Sequence, residues 1–280
     1  MTRVITIQYL SLFRSYLQEN EKSENTVKKY LHDLSHFIQY ANGNEVTKSL
    51  VLSYKEILKS THALSSANSM IAAINSFFKF MGWDNCCIKQ FKIQRQTYRD
   101  PERELTKSEY LRLLYAAKQN SNEQLNMIIQ TICSTGIRVS ELKYISVESL
   151  YTGKVTIINK GKVRAILLSK DLQKLLRRFC KRNNISHGCI FITRSGRPLD
   201  RSNIWRSMKA LCESAHVDPA KVFPHNLRHL FARTFYNLDR DIAKLADILG
   251  HSSIDTTRIY IMTTSSEHIQ MLNRMNLVIP

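Results

Sequence analysis

The sequence predicts a mainly helical protein with a small β-sheet, an α+β fold arranged as two domains. Three observations predict it. Apolar residues recur at helical spacing along most of the chain. A single stretch, 154–168, turns to β-branched residues around a polar turn. And 8 glycines and 5 prolines in 280 residues are too few to punctuate many short strands. Hydrophobic residues make up 43% of the chain, which fits a packed protein rather than a disordered one. At this length two domains are the natural expectation.

The first domain, 1–90, reads as four helices. Ile7 to Leu17 form the first. Ser23 is placed to cap the second, where Val27, Tyr30, Leu31, Leu34, Phe37 and Ile38 make one apolar stripe. Asn42-Gly43-Asn44 ends it, because Gly and Asn accept left-handed backbone. A third helix spans about 47–59. The fourth, about 65–81, carries Ile71, Ile74, Phe78 and Met81 on one face and closes at Gly82. Residues 91–104 are polar, basic and without a stripe, and read as an extended linker.

The second domain, 105–280, opens with a capping box, Thr106 and Glu109, ahead of Leu111, Leu113 and Leu114. Helices are expected at about 106–118, 123–134 and 139–147. Residues 154–158 and 163–168 form a hairpin whose turn, Asn159-Lys160-Gly161-Lys162, carries lysine. A helix at 170–183 and a short extended piece at Ile190-Phe191-Ile192 follow. The remainder is helical, at about 200–215, 225–237, 241–249, 253–261 and 265–276. There is no internal repeat and no low-complexity segment.

Charge narrows the partner. Lys plus Arg number 41 against 23 acidic residues, a net of +18, which calls for a polyanion. Through Arg95 there are 12 basic and 7 acidic residues, and from Gln96 onward 29 and 16, so both halves suit that partner. No run approaches the ~20 apolar residues of a membrane span, and the first residues lack the apolar core of a signal peptide. Six cysteines without any C-x-x-C read as buried thiols of a reducing compartment. The expectation is a cytoplasmic protein that faces nucleic acid and not a membrane.

Several chemistries find no support. No G-x-x-x-x-G-K-[ST] is present for nucleotide hydrolysis. No carboxylate cluster suggests a two-metal nuclease. His225 and His229 are four apart, but Arg228 between them would repel a metal. No metal and no cofactor are therefore expected. What remains is a set of arginines, histidines, a lysine and a tyrosine. Guanidinium groups can grip the oxygens of a phosphate, and tyrosine can attack phosphorus to form a covalent ester. Lysine or histidine can protonate a leaving oxygen.

These residues lie in four segments. Thr135-Gly136-Ile137-Arg138-Val139-Ser140-Glu141-Leu142 resembles the T-G-x-R-x-S-E-L segment of the tyrosine recombinases, the phage integrase family. Lys160 resembles the hairpin lysine of the family's G-K-G turn. His225-Asn226-Leu227-Arg228-His229 resembles H-x-L-R-H, and Leu249-Gly250-His251 followed by Tyr260 resembles L-G-H-x8-Y. Alone, each has an ordinary explanation: Tyr260 is one of 12 tyrosines, Lys160 a solvated turn lysine, His225 a helix cap, His251 a core histidine. Together, in order, they are specific. The likeness extends to the layout, a helical core-binding domain, a linker and a catalytic domain, and is nearest to the short Xer-type enzymes.

The resemblance implies a site-specific recombinase that cuts and rejoins DNA through a 3′-phosphotyrosine. Arg138 and Arg228 would clamp the scissile phosphate and Tyr260 would attack it. Lys160 would protonate the 5′-hydroxyl, with His225 and His251 binding phosphate oxygens and assisting proton transfer. Glu141 would orient Arg138 from behind, and His229 would be structural. The implied partners are double-stranded recombination sites and further copies of the chain, a dimer per site and a tetrameric synapse, with room for accessory proteins. The helix at 265–276, with Ile269, Leu272 and Met275 along its edge, would link subunits. Integration or excision of a mobile element and resolution of cointegrates or dimers are the implied purposes. Two alternatives use similar residues: a type IB-like topoisomerase or telomere resolvase, and a relative that binds DNA without catalysis.

Overall fold

Caps and glycines set the helix ends that the rest of the chain is hung on. The computed structural model describes residues 3–93, 101–159, 162–251, 253–261 and 265–275. The protein is 68% helical with one two-stranded sheet, and divides into two units, Met1–Arg95 and Gln96–Pro280.

The first unit holds α1 (Gln8–Glu19), α2 (Glu24–Ala41), α3 (Lys48–Thr61) and α4 (Leu64–Phe80). Ser23 caps α2 by accepting the Thr26 N–H, and Asn42 ends it in the left-handed region at φ 45°. The helices α1, α3 and α4 all pack on α2. Phe13, Leu34, Phe37, Ile71, Ile74, Phe77 and Phe78 fill the space between them. Phe37 meets Phe78 edge-on, with ring centroids 5.7 Å apart. Phe91, expected in the linker, belongs to this unit instead. Its ring packs against the core and its N–H donates to Asn68 Oδ1 at 2.7 Å. An aromatic side chain gains more from that burial than from solvent, which pulls the chain inward there.

In the second unit α5 (Lys107–Gln119) begins with the Thr106–Glu109 capping box, both reciprocal bonds formed. The next helix, α6 (Glu123–Thr135), is buried on most of its faces and packs against α5 and three later helices. A 3-10 stretch, Val139–Tyr144, leads to α7 (Val147–Thr152), β1 (Lys154–Asn159), β2 (Lys162–Leu167) and α8 (Lys170–Arg182). Then come α9 (Arg201–Ala210), α10 (Cys212–Ala215), α11 (Pro224–Asp239), α12 (Ile242–Leu249), α13 (Ile254–Ile261) and α14 (Ser265–Arg274). Helices α8, α9 and α11 are the later partners of α6.

Two expected helices differ. The one at 139–147 is a 3-10 stretch followed by α7, because the Glu141 carboxylate turns back to accept the Arg138 N–H while extended Ser146 caps a new helix. The one at 200–215 splits at Leu211, whose N–H bonds three residues back, to Met208. The hairpin pairs Lys154 with Leu167 through to Asn159 with Lys162. Val155, Ile157, Ile166 and Leu168 face the core, while Ile158, Val163 and Leu167 face outward.

Gly136 caps α6 at φ 64°, and a Cβ there would lie 2.5 Å from Phe231 Cδ1. Gly136→Ala is therefore expected to destabilise the protein. Left-handed backbone costs about 1–2 kcal/mol, and overpacking about 1–3 kcal/mol more. Urea unfolding measures the sum, and an unchanged midpoint would contradict it.

Candidate active site

On α11, His225, Arg228, His229 and Ala232 stand at i, i+3, i+4 and i+7 and so share one face. Pro224 at the first turn fixes where this helix begins. On α13, Thr257 and Tyr260 share a face by the same spacing, and both are buried. Helices α11 and α13 pack together, bringing the two faces into contact.

Tyr260 is 5% exposed and its ring is enclosed by three imidazoles. His229 stacks on it with centroids 4.3 Å apart and planes 27° apart. His225 approaches at 65° and His251 lies at 5.3 Å. The phenol oxygen is 3.3 Å from His225 Nε2. Burial, then Arg228, Arg138 and Arg201, push the His225 pKa below its usual value, which favours a neutral ring.

Three guanidinium groups converge beside this ring on the C-terminal ends of two helices. Arg228, 1% exposed, donates from Nη1 to Gly136 O at the end of α6 and from Nη2 to Leu249 O at the end of α12 (2.7 Å). Arg138 Nη2 donates to Gly250 O at 3.3 Å. Arg164 Nη1 donates to the same Leu249 O. Helix ends expose unpaired carbonyls and carry partial negative charge, so they suit cations where carboxylates are scarce. The one carboxylate in the cluster's hydrogen-bond set is Glu141, buried, which takes Arg138 Nη1 at 3.0 Å on one oxygen and Arg164 Nη2 on the other. Of the three side chains Arg138 is the most open, at 37% against 15% for Arg164.

His251 has a defined tautomer. Arg228 Nη2 can only donate, so His251 Nε2, 2.9 Å away, accepts. Its Nδ1 then carries the proton and donates to Thr257 Oγ1 at 2.9 Å. Burial first, then Arg228, Arg138, Arg164 and His225, hold His251 down to about 4. A histidine in the unfolded chain titrates near about 6.5. Between those values the unfolded chain takes up the proton and the folded one does not. Stability is therefore full above the unfolded value and falls as pH drops from there toward about 4. His225 acts in the same direction. Thermal midpoints taken from pH 7 to pH 5 should fall less steeply in His251→Gln than in the wild type. Parallel slopes would contradict the assignment.

The structure thus brings together Arg138, Glu141, His225, Arg228, His229, His251 and Tyr260. Lys160 lies outside the described residues. Sequence reasoning missed Arg164 and Thr257. Arg164 carried a readable signal: it alternates in register with Ile166 and Leu168, so a cation was due on the inward face of the hairpin. Thr257 carried none. Among the described residues no group of three or more His, Cys, Asp or Glu side chains is set to hold a metal ion. Nor, among them, is any helix long and apolar enough to cross a membrane.

Comparison with known proteins settles the family. Residues 103–267 match the phage integrase family, and residues 10–85 match the phage integrase N-terminal SAM-like domain. The chain belongs to the phage integrase family. It is 27% identical to tyrosine recombinase XerA of Pyrococcus horikoshii, covering 98% of this chain and 96% of that protein. To tyrosine recombinase XerD of Halalkalibacterium halodurans it is 28% identical, covering 89% and 90%. Its fold is similar to that of a lambda integrase dimer bound to a COC′ core site, with a TM-score of 0.74 at 17% identity over 92% of this chain and 78% of that one. The protein is a site-specific tyrosine recombinase, an enzyme that exchanges DNA strands with a tyrosine nucleophile.

Proposed function

We propose that Tyr260 is the nucleophile of this recombinase and that Arg138 and Arg228 hold the scissile phosphate against it. The observation that carries the proposal is the Tyr260 hydroxyl set 3.3 Å from His225 Nε2 and next to the arginine cluster. The Tyr260 oxygen attacks phosphorus, the bond from phosphorus to the 5′ oxygen breaks, and a 3′-phosphotyrosine forms. His225, kept neutral, takes the phenol proton. Lys160 supplies a proton to the departing 5′ oxygen. Arg138 meets the phosphate from its open side while Arg228 adds charge from beneath. Rejoining runs the same steps backward with a new 5′-hydroxyl. His251 serves by holding Arg228 rather than by moving protons, since its Nε2 lone pair is engaged. His229 supports the Tyr260 ring.

The substrate in this proposal is a double-stranded recombination site. The unit Met1–Arg95 is its core-binding domain, and two copies act per site and four per synapse. Ile269 and Leu272 on α14 and Met275 just after it are all exposed, an apolar edge suited to a neighbouring subunit. The six cysteines are free, which fits a cytoplasmic enzyme. Its purpose is integration or excision of a mobile element, or resolution of cointegrates or dimers.

The test uses a nicked duplex containing the site that the protein selects from random sequence. An adduct resistant to denaturation should form, with EDTA present, because each charge in the scheme is met by a side chain. Mass spectrometry of the digested adduct should place the nucleotide on the peptide holding Tyr260. Attachment at another residue, or no adduct, overturns the proposal.

A further inference from the structure

We infer that Arg164 is a positioning residue for strand cleavage, locking the β-hairpin, the Glu141–Arg138 pair and the segment around His251 into one register. The inference rests on the reading of Arg138 as phosphate clamp and Tyr260 as nucleophile.

Arg164 sits on β2 opposite Ile157, on the face of the hairpin turned to the core. Its side chain is 15% exposed, so it is poorly placed to meet DNA itself. Burying a guanidinium is costly unless it is paired, and the pairing here is informative. Nη2 donates to Glu141 Oε2 and Nη1 to Leu249 O. Each of these acceptors is shared with one of the two arginines assigned to the phosphate. Glu141 also receives Arg138, through Nη1 at 3.0 Å and the backbone N–H at 2.9 Å. Leu249 O also receives Arg228 Nη2, at 2.7 Å. One planar side chain therefore touches the supports of both.

Gly250 gives a second, independent indication. Its φ is +63°, and a Cβ there would fall on the Arg164 side chain, closest to Cδ and Nη1. The guanidinium passes over the backbone between α12 and His251, a path open only above a glycine. The same side chain anchors β2, and Lys160 lies four residues earlier in the sequence. Arg164 thus links β2 to the clamp and to the segment leading to Tyr260, and acts through them.

Arg164→Gln and Arg164→Lys test this in single-turnover cleavage, each on two duplexes. One carries an ordinary scissile phosphate. In the other a methylphosphonate replaces one charged oxygen with a methyl group. On the ordinary duplex both variants should cleave about 10- to 100-fold more slowly, with site binding in gel shifts unchanged. Lysine keeps the charge but presents one ammonium, which cannot span two acceptors on separate segments, so it should not rescue. On the neutral duplex the loss should shrink, because less charge develops for an aligned guanidinium to meet. A merely structural role would slow both duplexes equally, and that result overturns the inference. So does wild-type cleavage by either variant. Wild-type protein that forms no adduct would instead overturn the underlying reading of Tyr260, leaving the two failures distinct.

Discussion

Tyr260→Phe is expected to abolish covalent DNA cleavage while leaving the protein folded and able to bind its site. The change removes one oxygen, which makes a long hydrogen bond with His225 Nε2 at 3.3 Å and also faces the Arg228 guanidinium. A bond of that length contributes at most about 1 kcal/mol. The ring itself remains, still stacked on His229 at 4.3 Å and packed with Ala232, Leu245 and Leu249. Of the neighbouring imidazoles, His251 is bonded at both nitrogens and does not stand in for the phenol. With Tyr260 as the proposed nucleophile, its loss should reduce the rate by at least about 10⁴-fold. Denaturing gels read the adduct, thermal melting reads the fold, and gel shifts read binding. A persisting adduct would show that another residue attacks. A collapsed melting point would show that the hydroxyl is structural.

The fold was legible wherever local chemistry decides it. Ser23, Asn42, and Thr106 with Glu109 end or start helices through bonds made within a few residues, and those ends are where the sequence put them. The hairpin was legible for the same reason, since alternation and a polar turn are local signals. The misreadings arise where a distant partner overrides the local pattern. Helical spacing across 139–147 is genuine, but Glu141 is drawn away from the helix to Arg138 and to Arg164, 23 residues along the chain. Phe91 looked like linker because its neighbours are polar, and it is held by Asn68, 23 residues back.

The site shows the same division. Arg138, His225, Arg228, His251 and Tyr260 were found as types in order, because the resemblance runs along the sequence. Their division of labour was not. Both histidines were expected to serve phosphate and proton alike, whereas His225 faces the phenol and His251 is spent on Arg228 and Thr257. Nor does a sequence disclose that the cations rest on the carbonyls of Gly136, Leu249 and Gly250, since backbone acceptors carry no residue signature.

That reliance on carbonyls makes Arg228 a structural side chain as well as a phosphate ligand in the proposed scheme. Arg228→Ala leaves Gly136 O and Leu249 O buried without this donor and takes the proton donor from His251 Nε2. Leaving a buried acceptor without its donor costs about 1–3 kcal/mol. Arg228→Lys keeps the charge, but one ammonium cannot reach two helix ends and an imidazole together, so it should be intermediate in stability and still deficient in cleavage. Burial and nearby Arg138 already lower Arg228 to about 10, so it stays charged at neutral pH and is not replaceable by a neutral donor. His251 reports on the change directly. Burial, and next Arg228 at 2.9 Å, hold it down to about 4, so in Arg228→Ala its titration should move up toward the ordinary histidine range. NMR of the ring protons follows that shift, and denaturant unfolding follows the stability. If His251 titrates where it did and the variant unfolds at the wild-type midpoint, the helix ends are not what seats this arginine.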